Sequence, residues 1–191
     1  MGDGCLFEHR MEPGPGDGRA VPCISSVRLG EDGRVTIRLF APGEGSPRFE
    51  LLVATRPDLA DAVRAIADRH GDALSGLPAD IRVAGWDGTE RTIRIGGTEV
   101  ATRGLSRGGD AGDGGGRTPG ATALRQMATL LDAYDEVVVE FANRGIVLPA
   151  DDDGDGFVDR PLTLWHDGAF DLKRDDLYDL MRGYDLATLQ F

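Results

Sequence analysis

A chain of 191 residues with 40% hydrophobic content is long enough for one domain or two small ones with a buried core, which argues against disorder throughout. A formal net charge of −12, with no lysine/arginine cluster, argues against direct nucleic-acid binding. No apolar run approaches membrane-spanning length, so no membrane association is expected.

Residues 11–22 (MEPGPGDGRAVP) are too rich in Gly and Pro to pack, and residues 1–22 read as a flexible leader, with order beginning near Cys23. Met1 to Arg19 holds no cationic apolar signal segment, which points to the cytoplasm and to reduced cysteines. Cys5, His9 and Cys23 are zinc-type ligands without a C-x-x-C pair, and leader residues are the simpler reading.

Val27 and Leu29, then Val35, Ile37 and Leu39, alternate with polar residues around the turn Glu31-Asp32-Gly33 and predict a β-hairpin. A third strand is expected over Phe49 to Ala54. Leu59, Ala62, Val63 and Ile66 fall at helical spacing and predict an amphipathic helix ending near Gly71. Ile81 and Val83, then Ile93 and Ile95, predict a second hairpin around Gly85-Trp86-Asp87-Gly88. Gly96-Gly97 turns the chain into a further short strand reaching Thr102.

Residues 104–119 form a Gly-rich linker by composition, separating a 23–103 half from a 120–191 half, which is either a separate unit or one domain with the first. Ala121, Leu124, Ala128 and Leu131 predict a second helix to about Tyr134. The dense apolar run Val137 to Phe141 predicts a central strand. Ile146 to Leu148 and Leu162 to Trp165 pair as a hairpin around an Asp-rich loop, and Leu177, Leu180, Met181 and Tyr184 mark a last helix. Strand groups prevail over strict β-α alternation. The expected class is α+β: a mostly antiparallel sheet with two or three amphipathic helices packed on one face.

Lys173 is the single lysine, beside 20 arginines, and 24 aspartates stand against 9 glutamates. Short carboxylates hold water and hydrated cations, while lysine methylenes would be driven together by salt. The composition resembles that of haloarchaeal cytosolic proteins, a resemblance of proteome rather than of family, and implies a halophilic, acidic surface. At molar salt the Debye length falls to about 3 Å, so the charge serves solubility more than partner choice.

The sharpest local pattern is Asp151-Asp152-Asp153-Gly154-Asp155-Gly156-Phe157-Val158-Asp159, D-x-D-x-D-G-x-x-D. Over these nine residues it resembles the calcium loops of EF-hand-like and dockerin modules. The resemblance implies side-chain ligands Asp151, Asp153, Asp155 and Asp159, with the carbonyl of Phe157. Leu162 stands where those modules place a bidentate Glu, and Pro161 leads into an apolar run. Ala111 to Thr118 reads A-x-x-x-x-G-R-T, a near-miss phosphate loop with Arg117 in place of the lysine. His70 reads as a helix-end residue and His166 as the histidine best placed for a cleft; a hydrolytic enzyme would use His166 with a carboxylate.

No catalytic constellation or cofactor fingerprint emerges from these motifs. The expectation is a non-catalytic binding or interaction module with an unknown protein partner, for which the apolar residues Leu186, Leu189 and Phe191 offer a surface. The alternatives are a calcium-binding module built on the Asp151–Asp159 loop and the hydrolase.

Overall fold

Residues that alternate between apolar and polar build a sheet with one dry face, and that sheet organises this protein. The structure, a computed structural model, describes residues 4–12, 24–40, 46–47, 49–82, 90–103, 121–148 and 163–164. Strands β1 (Cys5–Glu12), β2 (Ile24–Gly30), β3 (Arg34–Phe40), β4 (Phe49–Thr55), β5 (Asp80–Arg82), β6 (Glu90–Ile95) and β7 (Thr98–Arg103) form one seven-stranded sheet in the order β4-β3-β2-β1-β6-β7-β5. Every pairing is antiparallel except that of β5 with β7. Helices α1 (Pro57–Ser75) and α2 (Ala121–Asn143) pack on one face, and β8 (Ile146–Val147) pairs with β9 (Thr163–Leu164) in a separate ribbon. This is the expected α+β architecture, with two helices among the described residues. The segment from Leu177 to Tyr184 lies outside them.

The core lies between sheet and helices. Phe7, Val27, Leu29, Val35, Ile37, Ile93, Ile95 and Val100 from the strands meet Leu59, Val63 and Ile66 of α1 and Met127, Leu130, Val137 and Phe141 of α2. Ile146 and Leu148 join the same core, so residues from both sides of the 104–119 segment bury one another. No helix among the described residues is long and apolar enough to cross a membrane.

Three elements differ from the sequence expectation. Cys5–Glu12, read as part of the leader, is a central strand: Phe7 opposes Leu29 on one side and Ile95 on the other, and His9 opposes Val27 and Ile93. Its buried row, Phe7, His9 and Met11, contains a histidine, which disguised the alternation. Val137 to Phe141, read as a strand, continues α2, because Met127, Leu130, Ala133, Val137 and Phe141 keep helical spacing and all are buried. The β-branched preference of three successive valines yields to a packed helical stripe. Finally, Ile81 and Ile93 belong to strands that do not pair with each other. β6 lies between β1 and β7, while β5 runs parallel to β7 at the edge.

The turn between β2 and β3 is held against the start of α1. Gly33 has a positive φ of 79°, its carbonyl accepts the Arg56 N–H at 2.7 Å, and a Cβ there would stand 2.5 Å from the Pro57 nitrogen. Only glycine permits both that dihedral and that approach.

Candidate functional site

The face of the sheet away from the helices carries the alternate residues: Glu8 and Arg10 of β1, Ser26 and Arg28 of β2, Arg34, Thr36, Arg38 and Phe40 of β3, Glu50 of β4 and Arg94 of β6. Register sets Glu8 directly between Arg28 and Arg94 on its two flanking strands, and Arg38 between Ser26 and Glu50. Charged neighbours of opposite sign on adjacent strands stabilise the pairing and fix its register.

Glu8 is the centre of this layer. Its Oε1 accepts a 2.7 Å hydrogen bond from the Ser26 hydroxyl and lies 3.6 Å from Arg38 Nη1. Arg38 Nε lies 3.2 Å from Glu50 Oε2, an ion pair outside hydrogen-bond geometry. Arg94 directs Nε and Nη2 at Glu99 Oε2, at 2.9 and 2.6 Å. The guanidinium carbons of Arg10 and Arg38 stand 4.4 and 5.2 Å from the centroid of the Phe40 ring, which is buried beneath them. Stacking on an aromatic ring orients a guanidinium while leaving its N–H edge usable. At the end of this face a cavity of about 320 Å³ is lined by Arg28, Arg34 and Thr36 together with Gly30, Asp32 and Glu50.

The helix side holds a second polar group. His9 is buried, with Nδ1 3.1 Å from the Tyr134 hydroxyl and Nε2 without a hydrogen-bond partner among the described residues. Burial, and secondarily the positive charge of Arg91, push its pKa from 6.5 down to about 3. At neutral pH the ring is therefore an uncharged core residue. Cys5, by contrast, lies beside Arg28 of the open face; it is buried, its thiol donates to the Phe7 carbonyl at 3.3 Å, and desolvation raises its pKa against the opposing pull of Arg28.

His70 sits within α1 rather than at its end, and its Nε2 lies 2.9 Å from Glu136 Oε1 of α2, beside Arg69, which pairs with the same carboxylate. The His70 hydrogen bond, foremost, holds Glu136 below the usual carboxylate range. At the other end of the helix pair, Asp58 receives Arg56 and Arg144, whose hydrogen bonds depress its pKa to about 2. Both groups fasten α1 to α2.

The described residues place Cys5 and His9 on one strand, where no group of three His, Cys, Asp or Glu side chains could hold a metal ion. Cys23, the Ala111–Thr118 segment, the proposed calcium ligands Asp151, Asp153, Asp155 and Asp159, His166, and the tail residues Leu186, Leu189 and Phe191 lie outside the described residues. The arginine layer escaped sequence reading because its members are spread over four strands. Only strand order brings Arg10, Arg28, Arg38 and Arg94 together, although the alternation V-R-L and T-I-R-L-F already assigned two of them to the face opposite the core. No family model, curated protein or solved structure matches this chain.

Proposed function

We propose that this protein is a salt-adapted, non-catalytic binding module whose ligand-facing surface is the arginine-bearing open face of the sheet. The ligand class is a carboxylate-rich segment of a protein partner. One observation carries the reading: five of the 20 arginines, Arg10, Arg28, Arg34, Arg38 and Arg94, are gathered on one face of a chain whose net charge is −12. Guanidinium forks match carboxylates in a planar, two-bond geometry, and those on Arg10 and Arg38 are held in place by Phe40. An ion pair to Glu8, Glu50 or Glu99 orients an arginine without using all five of its N–H donors.

The test is fluorescence anisotropy with a labelled poly-glutamate peptide, at KCl concentrations where circular dichroism shows the fold intact. Arg38→Ala and Arg94→Ala should each weaken binding about tenfold, the worth of one charged hydrogen-bonding partner. Arg64→Ala, at an exposed position on α1, should leave it unchanged. Equal affinity for all three variants, or no saturable binding by the unaltered protein, would sink the reading.

A second reading has its own observation. β8 and β9 pair antiparallel, with Ile146 opposite Leu164, so the chain carrying D-x-D-x-D-G is closed at its base by a strand pair. A calcium ion held by Asp151, Asp153, Asp155 and Asp159 would act there as a staple that stabilises the folded state by mass action. Millimolar calcium in molar KCl should then raise the melting temperature by several degrees, and Asp153→Ala should abolish the rise. An identical melt with and without calcium would remove this site.

A further inference from the structure

Helix α2 carries more apolar surface than its own core uses. Met127, Leu130, Val137 and Phe141 face the core, and Glu136 reaches Arg69 and His70 of α1 on one flank. The other flank is a heptad seam. Leu124, Ala128, Leu131, Asp135, Val138 and Ala142 follow at alternating spacings of four and three and fall within an arc of about 80°. Leu131 and Val138 are half-buried against the core, whereas Leu124 is 49% exposed. Val139 stands outside this arc, on the side of α2 opposite Leu130 and Val137.

A second seam lies in the sequence beyond β9. Leu177, Leu180, Met181, Tyr184 and Phe191 share an arc of about 100° at helical phase. These residues lie outside the described ones, but the strand that leads to them does not. Leu164 of β9 opposes Ile146, three residues past the end of α2 at Asn143. The chain beyond β9 therefore sets out from the C-terminal end of the α2 flank. Residues 165–176 span up to about 40 Å when extended, ample to bring Leu177 alongside it.

We propose that this flank of α2 is the docking site of the chain's own segment 173–191, packed on it as an antiparallel helix. Three pairs fall in one register: Leu177 with Val138, Tyr184 with Leu131, and Phe191 with Leu124. Each step is seven residues on both helices, or about 10 Å of rise. The two seams thus match in length, and Phe191 covers Leu124, the most exposed large side chain of the flank. Antiparallel packing brings like borders together, so Leu180 turns toward the sheet and Val139 stays outside the contact.

Lys173 selects the direction. One turn before Leu177, it would arrive at the last turn of α2, which holds no basic residue and forms the negative end of the helix dipole. A parallel arrangement would bring the same lysine to the first turn, the positive end. The antiparallel register also brings Asp185 near Asp132 on the outer border, a repulsion that molar KCl screens. Gly183 makes the segment a poor helix by itself, so its order depends on the apolar contact, which salt strengthens. Docking should therefore tighten as KCl is raised.

Double-cysteine variants of the full chain test this, with Cys23→Ser so that buried Cys5 is the only other thiol. On mild oxidation in molar KCl, Val138→Cys with Leu177→Cys should close a disulfide within one chain, and Leu124→Cys with Leu177→Cys should not. In the otherwise unaltered chain, Leu177→Lys should lower the melting temperature by a few degrees, while Val139→Lys leaves it within about a degree. A bridge between positions 138 and 177 that forms only between chains gives the flank to a second copy, and no bridge at all gives it to a different partner. Either result overturns the proposal, as does a melt indifferent to Leu177→Lys. A bridge confined to positions 124 and 177 overturns the antiparallel direction.

Discussion

Truncating Phe141 to alanine should cost about 3–5 kcal/mol of unfolding free energy, a large share of the 5–15 kcal/mol that holds a typical domain. Phe141 is fully buried near the end of α2, and its ring lies 5.3 Å from that of Phe7 in the central strand β1. Removing it leaves a cavity at the point where helix and sheet meet, bounded by groups that collapse only partly. Val137→Ala, which strips two buried methyl groups one turn earlier, should cost about 1–3 kcal/mol. Val139→Ala should cost less than about 0.5 kcal/mol, since Val139 is 54% exposed. Guanidinium unfolding at fixed KCl measures all three. The order matters because helix and strand predict different patterns. A strand over 137–141 would put Val137, Val139 and Phe141 on one face, and Val139→Ala would then resemble Val137→Ala. Comparable losses at these two valines would contradict the helix.

That contrast also explains what the sequence could and could not convey. Where one face is dry and the other wet, as in Val35-Thr36-Ile37-Arg38 or Leu59 to Ile66, period alone gives both element and orientation. Val137-Val138-Val139 is apolar at every position, so period is mute and β-branching pulls the reading toward a strand. The spacing Leu130, Ala133, Val137, Phe141 resolves it, but only if the helix is allowed to run on past Tyr134. In Cys5–Glu12 the alternation is present, yet His9 occupies an apolar slot. A buried imidazole with Tyr134 as its partner is a tertiary fact, contributed by a residue in a different half of the chain. Pairing is harder still. β1 inserts between β2 and β6, and β5 crosses to pair with β7, because long-range strand order depends on which apolar faces fit rather than on neighbouring turns. The arginine face inherits that limit: each residue's side of the sheet is local information, and their assembly around Glu8 is not.

His9 gives the fold a specific acid sensitivity. Its folded pKa lies near 3 against an ordinary value of 6.5, foremost because the ring is buried and then because Arg91 stands near it. The unfolded chain thus takes up a proton below pH 6.5 that the folded chain refuses. Unfolding then binds protons, and stability falls as pH falls through that window; about a unit above pH 6.5 both states carry a neutral ring and His9 contributes almost no slope. Between pH 6.5 and 5 the expected loss from this residue is about 2 kcal/mol. Depressed carboxylates also weaken the fold in acid, but Asp58 and Glu136 act lower, as pH drops through and beneath their ordinary values of 3.8 and 4.5. The groups facing His9 support the sign. The Tyr134 hydroxyl of α2 lies 3.1 Å from Nδ1, with the two ring centroids 5.4 Å apart in an edge-on arrangement, and Arg91 from β6 adds positive charge. His9→Leu should therefore flatten the dependence between pH 6.5 and 5, even if loss of the Tyr134 hydrogen bond lowers stability at pH 7 by about 1 kcal/mol. Guanidinium melts at half-unit pH steps in constant KCl provide the measurement. A flat profile for the unaltered protein over that window would mean that His9 takes up its proton within the fold, and that the packing of β1 against α2 admits a charged ring.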